Sequence, residues 1–333
     1  MRFVRLDKNE RTTAFQKDFL ERVWKRMAPD FFTAYPETEK LKKKLATWLS
    51  LAPEQIALFA GSDPAIKAGF ETFVSPGDEV VFTAPTFAMV GVYGKLFQAK
   101  MKPVMMESDL SMNASKIADA ISEKTALVYI ANPNSPSGTE MSVAELRTIV
   151  QAAARSDCPV LVDEAYFHFT KTTAATLVSE FGNLLVSRTF SKACGLAGLR
   201  VGYTIGQQEG IELLSKWRPM YEINSFAEEV ALELLETPQV IDAYVGEVLQ
   251  ARGAVQAWGK KHDILVYPSA TNFVNVKIGK THIAGVIKSS EAKGILVRES
   301  GSDTPLDQCL RISLGVRSQV EPVLEVLERE LKL

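Results

Sequence analysis

The run Thr189-Phe190-Ser191-Lys192-Ala193-Cys194-Gly195-Leu196-Ala197-Gly198-Leu199-Arg200-Val201-Gly202-Tyr203 sets one lysine between hydroxyl side chains, with an arginine further along the same small-residue loop. A lysine amine condenses with an aldehyde to a Schiff base, and hydroxyl and guanidinium groups bind a phosphate dianion through charge-assisted hydrogen bonds. Lys192 as covalent anchor, with Thr189, Ser191 and Arg200 as phosphate ligands, meets the demands of pyridoxal 5'-phosphate. The glycines let the backbone pass close to a ligand. A Ser-Lys pair taken alone is more often a solvated surface lysine, so the assignment depends on its surroundings.

Further features fall just past strand ends, where an open α/β sheet presents ligands. Gly61-Ser62-Asp63 follows a strand and precedes a helical stretch beginning near Ala65. A helix start offers unpaired amides and a positive dipole end to phosphate, though the same residues also read as an ordinary capped turn. Phe87, in Pro85-Thr86-Phe87, either lies flat against an aromatic ring or belongs to the core. Asn132-Pro133-Asn134-Ser135-Pro136-Ser137-Gly138 is a rigid loop whose composition is also that of a plain Pro/Gly turn. Val160-Leu161-Val162-Asp163-Glu164-Ala165-Tyr166 ends an apolar strand on a carboxylate. A buried carboxylate needs a cation; a protonated pyridine nitrogen supplies one, and Asp163 in return keeps that nitrogen charged. Tyr166 is placed to donate to the ring's 3-oxygen. A metal role for Asp163 and Glu164 is the competing reading, but no further His or carboxylate cluster supports it.

Such groups need a sheet to hold them. Short apolar runs at about 55–61, 79–84, 126–131, 160–163, 184–190 and 201–206 read as strands separated by helix-sized intervals. The interval 142–155 opens with a capping box, Ser142 with Glu145, and carries Leu146, Ile149, Val150 and Ala153 on one face. This is the α/β pattern of a mostly parallel sheet covered by helices. Leu41, Leu45, Trp48 and Leu49 form a helical stripe leading in, and Ser318 with Glu321 suggests a second capping box before Val320, Val323, Leu324, Leu327 and Leu331. Strands are expected around 272–278, 295–298 and 309–314. The expected organisation is an N-terminal arm (1–40) that completes a small domain, a large cofactor-binding domain (41–236) and a small C-terminal α/β domain (237–333).

The chain has 333 residues, 46% of them hydrophobic, and a formal net charge of −2, which provides no broad basic field for nucleic acid or anionic membrane. No apolar run reaches the roughly 18 residues of a membrane span, and Met1 to Glu10 is too charged for a signal-peptide core, so a cytoplasmic protein is expected. Cys158, Cys194 and Cys309 suit reduced thiols, and His168, His262 and His282 lack metal-ligand spacing. No strand is followed by Gly-x-Gly-x-x-Gly, which argues against a nucleotide-dependent dehydrogenase.

Across residues 6–316, these motifs together with Tyr35-Pro36-Glu37 resemble the fold-type I pyridoxal-phosphate aminotransferases of class I/II, most closely the histidinol-phosphate aminotransferase branch. The resemblance implies a large domain with a mostly parallel seven-stranded sheet and a smaller α/β domain. It implies that Lys192 is the Schiff-base lysine and proton shuttle, Asp163 the nitrogen partner and Tyr166 the 3-oxygen ligand. It further implies that Phe87 stacks on the ring and that Ser62, Asp63, Ser191 and Arg200 form the phosphate cup, Asp63 through its backbone amide. Tyr35 would reach the cofactor phosphate of a partner subunit in a homodimer, and Arg298 and Arg311 would clamp the substrate's anionic group. The chain departs from the family at Ser135, where an asparagine usually helps to hold the 3-oxygen, and at Glu10-Arg11, where proline and an aromatic are usual. Arg11 is either a third cation for a small anionic substrate or a solvated terminal charge. A pyridoxal-phosphate decarboxylase acting on a phosphorylated amino acid, and a binding protein that has lost its chemistry, are the alternatives; retention of Lys192, Asp163, Tyr166 and Arg200 argues against the latter.

Overall fold

The computed structural model describes residues 3–301 and 306–333. The chain opens with strand β1 (Val4–Arg5) and helices α1 (Lys17–Lys25) and α2 (Glu39–Leu49). It then alternates: β2 (Ile56–Phe59), α3 (Ser62–Phe73), β3 (Glu79–Ala84), α4 (Ala88–Leu96), β4 (Lys100–Met105), α5 (Ala114–Ala120), β5 (Thr125–Ala131), α6 (Val143–Ala154), β6 (Val160–Asp163), β7 (Leu184–Thr189), β8 (Gly202–Ile205) and α7 (Gln208–Ser215). Helices α8 (Ser225–Glu236) and α9 (Gln239–Lys261) lead into β9 (Phe273–Lys277), α10 (Lys280–Ala292), β10 (Ile295–Leu296), β11 (Arg298–Glu299), β12 (Cys309–Ser313) and α11 (Arg317–Leu331).

Seven strands form one sheet in the order β2-β8-β7-β6-β5-β3-β4. Strands β7, β6, β5, β3 and β4 are parallel, and β8 runs antiparallel to both β7 and β2. Every residue of β6 and β7 is buried, because crossover helices cover both faces; that is why these strands read as unbroken apolar runs. Parallel pairing brings the carboxyl ends to one edge. The chain leaves β3 for the outer strand β4 and returns to β5 on β3's other side, and this reversal opens a crevice between β3 and β5.

β4 is not among the strands expected from the sequence. Lys100, Lys102 and Pro103 interrupt its apolar pattern, and they are tolerated because β4 is an edge strand paired only with β3. Helix α6 starts as its residues dictate: Ser142 Oγ accepts from the Glu145 amide at 3.3 Å and Glu145 accepts from the Ser142 amide at 2.8 Å. The second expected capping box is corrected. Helix α11 begins two residues earlier, at Arg317 after Val316, so Ser318 lies within it; the side chain of Gln319 accepts from the Val316 amide at 3.3 Å, and Glu321 pairs with Arg317 at 2.7 Å.

A smaller antiparallel sheet has the order β11-β12-β9, and β1 pairs in parallel with β10. The pairing of β1 carries the following residues past β12, where Ser313 donates from its amide to Leu6 O at 2.8 Å. The N-terminal segment is thereby led across the carboxyl edge of the large sheet. No helix among the described residues is long and apolar enough to cross a membrane.

The tightest backbone approach joins β8 to the turn after β2. A Cβ on Gly202 would lie 2.6 Å from Gly61 C and 2.8 Å from Arg188 O, both backbone atoms that cannot swing away. Gly202→Ala should therefore lower stability by about 1–3 kcal/mol in urea unfolding. Gly246→Ala, in α9 with nothing within 4 Å of the added methyl, should be neutral or stabilising by up to about 1 kcal/mol.

Candidate active site

A cavity of about 650 Å³ lies against the carboxyl edge of the large sheet, with Asn9, Arg298 and Arg311 on its opposite wall. The ends of β2, β3, β5, β6 and β7 each contribute: Ser62 and Asp63, Phe87, Ser135, Asp163 and Tyr166, and Thr189, Ser191 and Lys192. Arg200 completes the lining from the far side of the lysine loop.

One end of the cavity is a cradle of donors. Thr189 Oγ1 lies 2.9 Å from Ser191 Oγ and accepts from the Ser191 amide at 3.1 Å, and Arg200 Nη1 donates to Ser191 Oγ at 3.1 Å. Gly61, with φ +98°, turns the chain into α3 directly beneath Arg200, where a side chain would collide with the guanidinium. The amides at the start of α3 have no acceptor within the helix. Asp63 lines the cavity, and its carboxylate accepts from Tyr93 Oη at 2.8 Å. Hydroxyls, a guanidinium and a helix start converging around a glycine fit a phosphate.

At the cavity floor, Asp163 is 5% exposed. Tyr129 Oη donates to Oδ2 at 3.1 Å and the Ala165 amide to Oδ1 at 3.1 Å, but no ion pair to Asp163 forms among the described residues. Burial pushes its carboxyl up to about 6, against the opposing pulls of Tyr129, the Ala165 amide and the Lys192 charge. A second cation facing this carboxylate, as in a protonated ring nitrogen, suits the site. The adjacent Glu164 is fully served: Arg188 Nε donates to it at 2.9 Å, Thr173 Oγ1 at 2.9 Å and the Ala174 amide at 2.6 Å. Arg188 also lies 3.7 Å from the centre of the Phe167 ring. This buried pair stiffens the turn that leads from Asp163 to Tyr166.

Tyr166 stands with its ring edge-on to Phe273, 5.6 Å between centroids, and Lys192 Nζ is 5.7 Å from the Tyr166 ring centre. Phe87 fills both of its anticipated places, lining the cavity while packing against the core around α4. Ser135 lines the cavity, whereas the neighbouring Asn134 is buried and locks the loop by donating to Pro85 O and Ser137 Oγ.

Arg298 and Arg311 sit directly opposite each other across β11 and β12 and both reach the cavity. Like charges facing across a pair of strands repel unless an anion lies between them. Arg311 is 8% exposed; its Nη2 donates to Asp7 O at 3.0 Å, and its Nε finds no partner among the described residues. That unmet donor is what a bound carboxylate or phosphate would satisfy.

Arg11 is a correction. It does not line the cavity: its guanidinium lies 4.7 Å from the Phe15 ring centre and 4.6 Å from that of Tyr244, and it donates to Val240 O at 3.4 Å. Its stem packs on Gly195, behind the lysine loop, so aromatic faces and a carbonyl already occupy it. Tyr35 lies outside its own chain's cavity, 74% exposed and stacked on Tyr221 at 4.1 Å. Two site residues went unread in the sequence: Tyr129, which looks like core in an apolar strand, and Asn9, whose Nδ2 donates to Tyr166 Oη at 3.0 Å. The register that sets Tyr129 opposite Leu161 puts its hydroxyl on the same face as Asp163, and no local pattern reveals such a register.

The model of the family described as aminotransferase class I and II matches residues 2–327. The histidinol-phosphate aminotransferase of Thermoanaerobacter sp. (strain X514) is 34% identical over 315 residues, covering 93% of this chain and 88% of that protein. That of Dehalococcoides mccartyi is 35% identical over 297 residues, covering 88% and 81%. The solved histidinol-phosphate aminotransferase of Sinorhizobium meliloti, in complex with pyridoxal 5'-phosphate, superposes with a TM-score of 0.90 at 23% identity, over 99% of this chain and 92% of that one.

The raised carboxyl at Asp163 has a consequence for stability in the cofactor-free protein. Its ordinary value is 3.8, so between 3.8 and about 6 the folded state holds the proton more tightly than the unfolded state. Its burial therefore opposes folding fully above about 6, and that opposition fades as the pH falls toward 3.8. Relative to wild type, Asp163→Asn should gain about 1–1.5 kcal/mol on going from about pH 5 to about pH 8, read from urea unfolding without cofactor.

Proposed function

The chain belongs to the class I and II aminotransferases, and from that premise we propose the part each cavity residue takes in catalysis. It is a pyridoxal-phosphate-dependent aminotransferase, which moves an amino group between an amino donor and a keto acceptor. When bound, the cofactor supplies an electron sink for negative charge developing at the substrate carbon. Lys192 would be its covalent anchor, and the same amine would hold and move the proton of the substrate carbon. Asp163 would pair with the ring nitrogen and keep it protonated, while Tyr166 would donate to the 3-oxygen. Ser62, the Asp63 amide, Thr189, Ser191 and Arg200 would hold the phosphate, Phe87 would support the ring, and Ser135 lines the same cavity. The observation that carries this reading is a buried carboxylate, without an ion-pair partner among the described residues, in the same cavity as a lysine and a phosphate-sized cradle of donors.

Arg311, assisted by Arg298, takes the anionic group of the substrate. The relatives' name points to histidinol phosphate, an amine carrying a distal phosphate, as the donor class, and the two facing guanidiniums suit it. Tyr35 completes the neighbouring site in a homodimer. Supporting this are its exposure beside Tyr221 and the solvent-facing apolar groups Phe32, Trp217 and Met220, the last 83% exposed.

Lys192→Ala should abolish turnover and remove the absorbance band of the lysine-bound cofactor; wild-type rates in that variant would overturn the assignment. A shared site makes a second expectation. Mixing Tyr35→Ala with Lys192→Ala protomers should restore turnover above that of either alone, because each hybrid dimer holds one native site; no gain would mean that Tyr35 serves no partner.

A further inference from the structure

We propose that Asn9 is a positioning residue that fixes which way the Tyr166 hydroxyl proton points, and through it how firmly the cofactor's 3-oxygen is hydrogen-bonded. The inference rests on the reading of Tyr166 as the 3-oxygen donor. Asn9 is 3% exposed, with φ 57°, and each of its polar groups has a partner. Its amide donates to Ser313 Oγ at 2.9 Å, and its carbonyl accepts from Asn272 Nδ2 at 3.0 Å. Its Oδ1 accepts from Ser313 Oγ at 2.7 Å, and its Nδ2 donates to Tyr166 Oη at 3.0 Å.

The direction of these bonds follows from chemistry. A backbone N–H only donates, so Ser313 Oγ is the acceptor of that bond and spends its single proton on Asn9 Oδ1. With Oδ1 turned to Ser313, the NH₂ of the amide is turned to Tyr166. An amide NH₂ only donates, so the Tyr166 oxygen accepts there, and its own proton is left for the cavity. A one-way relay thus runs from the N-terminal segment through Ser313 of β12 to the large-sheet residue Tyr166. Its parts are fixed by backbone: the Ser313 amide is held by Leu6 O at 2.8 Å, and Ser313 is paired with Phe273, whose ring abuts Tyr166. Lys192 Nζ lies 5.7 Å from the Tyr166 ring centre; Arg311, 5.4 Å from the Phe273 ring centre, and Tyr129, which donates to Asp163, also interact electrostatically with Tyr166. None of these accepts the hydroxyl proton among the bonds described.

Donation to the 3-oxygen stabilises its negative charge and makes the lysine–cofactor chromophore easier to deprotonate. An aspartate at position 9 offers an acceptor where the amide offered a donor, and draws the Tyr166 proton away from the cavity. The test is a spectrophotometric pH titration of the chromophore in the cofactor-loaded protein. Asn9→Asp should raise its midpoint by about one pH unit, and Asn9→Ala by less. Ser313→Ala, which leaves Asn9 in place and frees its amide to turn over, should shift it in the same direction. In a Tyr166→Phe background, Asn9→Asp and Ser313→Ala should add nothing further, a dependence that a purely structural role would not produce. If Tyr166→Phe alone leaves the midpoint unchanged, the reading of Tyr166 fails. If Tyr166→Phe raises it while Asn9→Asp and Ser313→Ala do not, or if their shifts persist without the hydroxyl, the role of Asn9 is overturned.

Discussion

The structure turns on a carboxylate that the fold buries and does not neutralise. β6 is an inner strand of a sheet covered on both faces, so its last residue, Asp163, is 5% exposed and opens only onto the cavity. Tyr129 and the Ala165 amide hydrogen-bond it, yet neutral donors offset only part of the loss of solvent, and the carboxyl remains raised to about 6. The sheet tolerates this residue because the cavity above can bring a cation to it. By contrast, Glu164 next door is paired inside the protein with Arg188, and that difference is what the proposed ligand role of Asp163 rests on.

Topology explains how the other groups meet Asp163. Parallel pairing brings the ends of β3, β5, β6 and β7 to one edge, and the reversal at β3 and β5 leaves room there. Antiparallel β8 returns the chain so that Gly202 touches Gly61, which locks the lysine loop onto the start of α3 and joins the two halves of the donor cradle. The smaller sheet contributes the opposite wall, with Arg298 and Arg311 in register, and the N-terminal segment crosses between the two sheets to reach Tyr166 through Asn9. On the proposed reading, the smaller sheet supplies the arginines for the substrate's anion and the large sheet the groups that hold the cofactor.

The central strands and the lysine loop were legible because burial on both faces leaves an unbroken apolar signature and because the loop's chemistry is local in sequence. β4 was not, since an edge strand needs to satisfy only one partner and can carry Lys100, Lys102 and Pro103. The start of α11 was misread because several polar residues near a helix start can serve as cap, and the contact between Gln319 and Thr12 is set by tertiary packing. Arg11 looked available for substrate; only the fold brings Phe15 and Tyr244 around its guanidinium. Tyr129 and Asn9 escaped notice for the same reason, because each acts through a partner far away in the chain.

The central claim is that Lys192 carries the cofactor above Asp163. It is tested most directly by loading the protein with pyridoxal 5'-phosphate, reducing the imine with borohydride and mapping the modified peptide by mass spectrometry. The account predicts the label on Lys192 alone, with little or no capture when Asp163 is replaced by alanine. A label on another lysine, or none on the loaded wild-type protein, would contradict it.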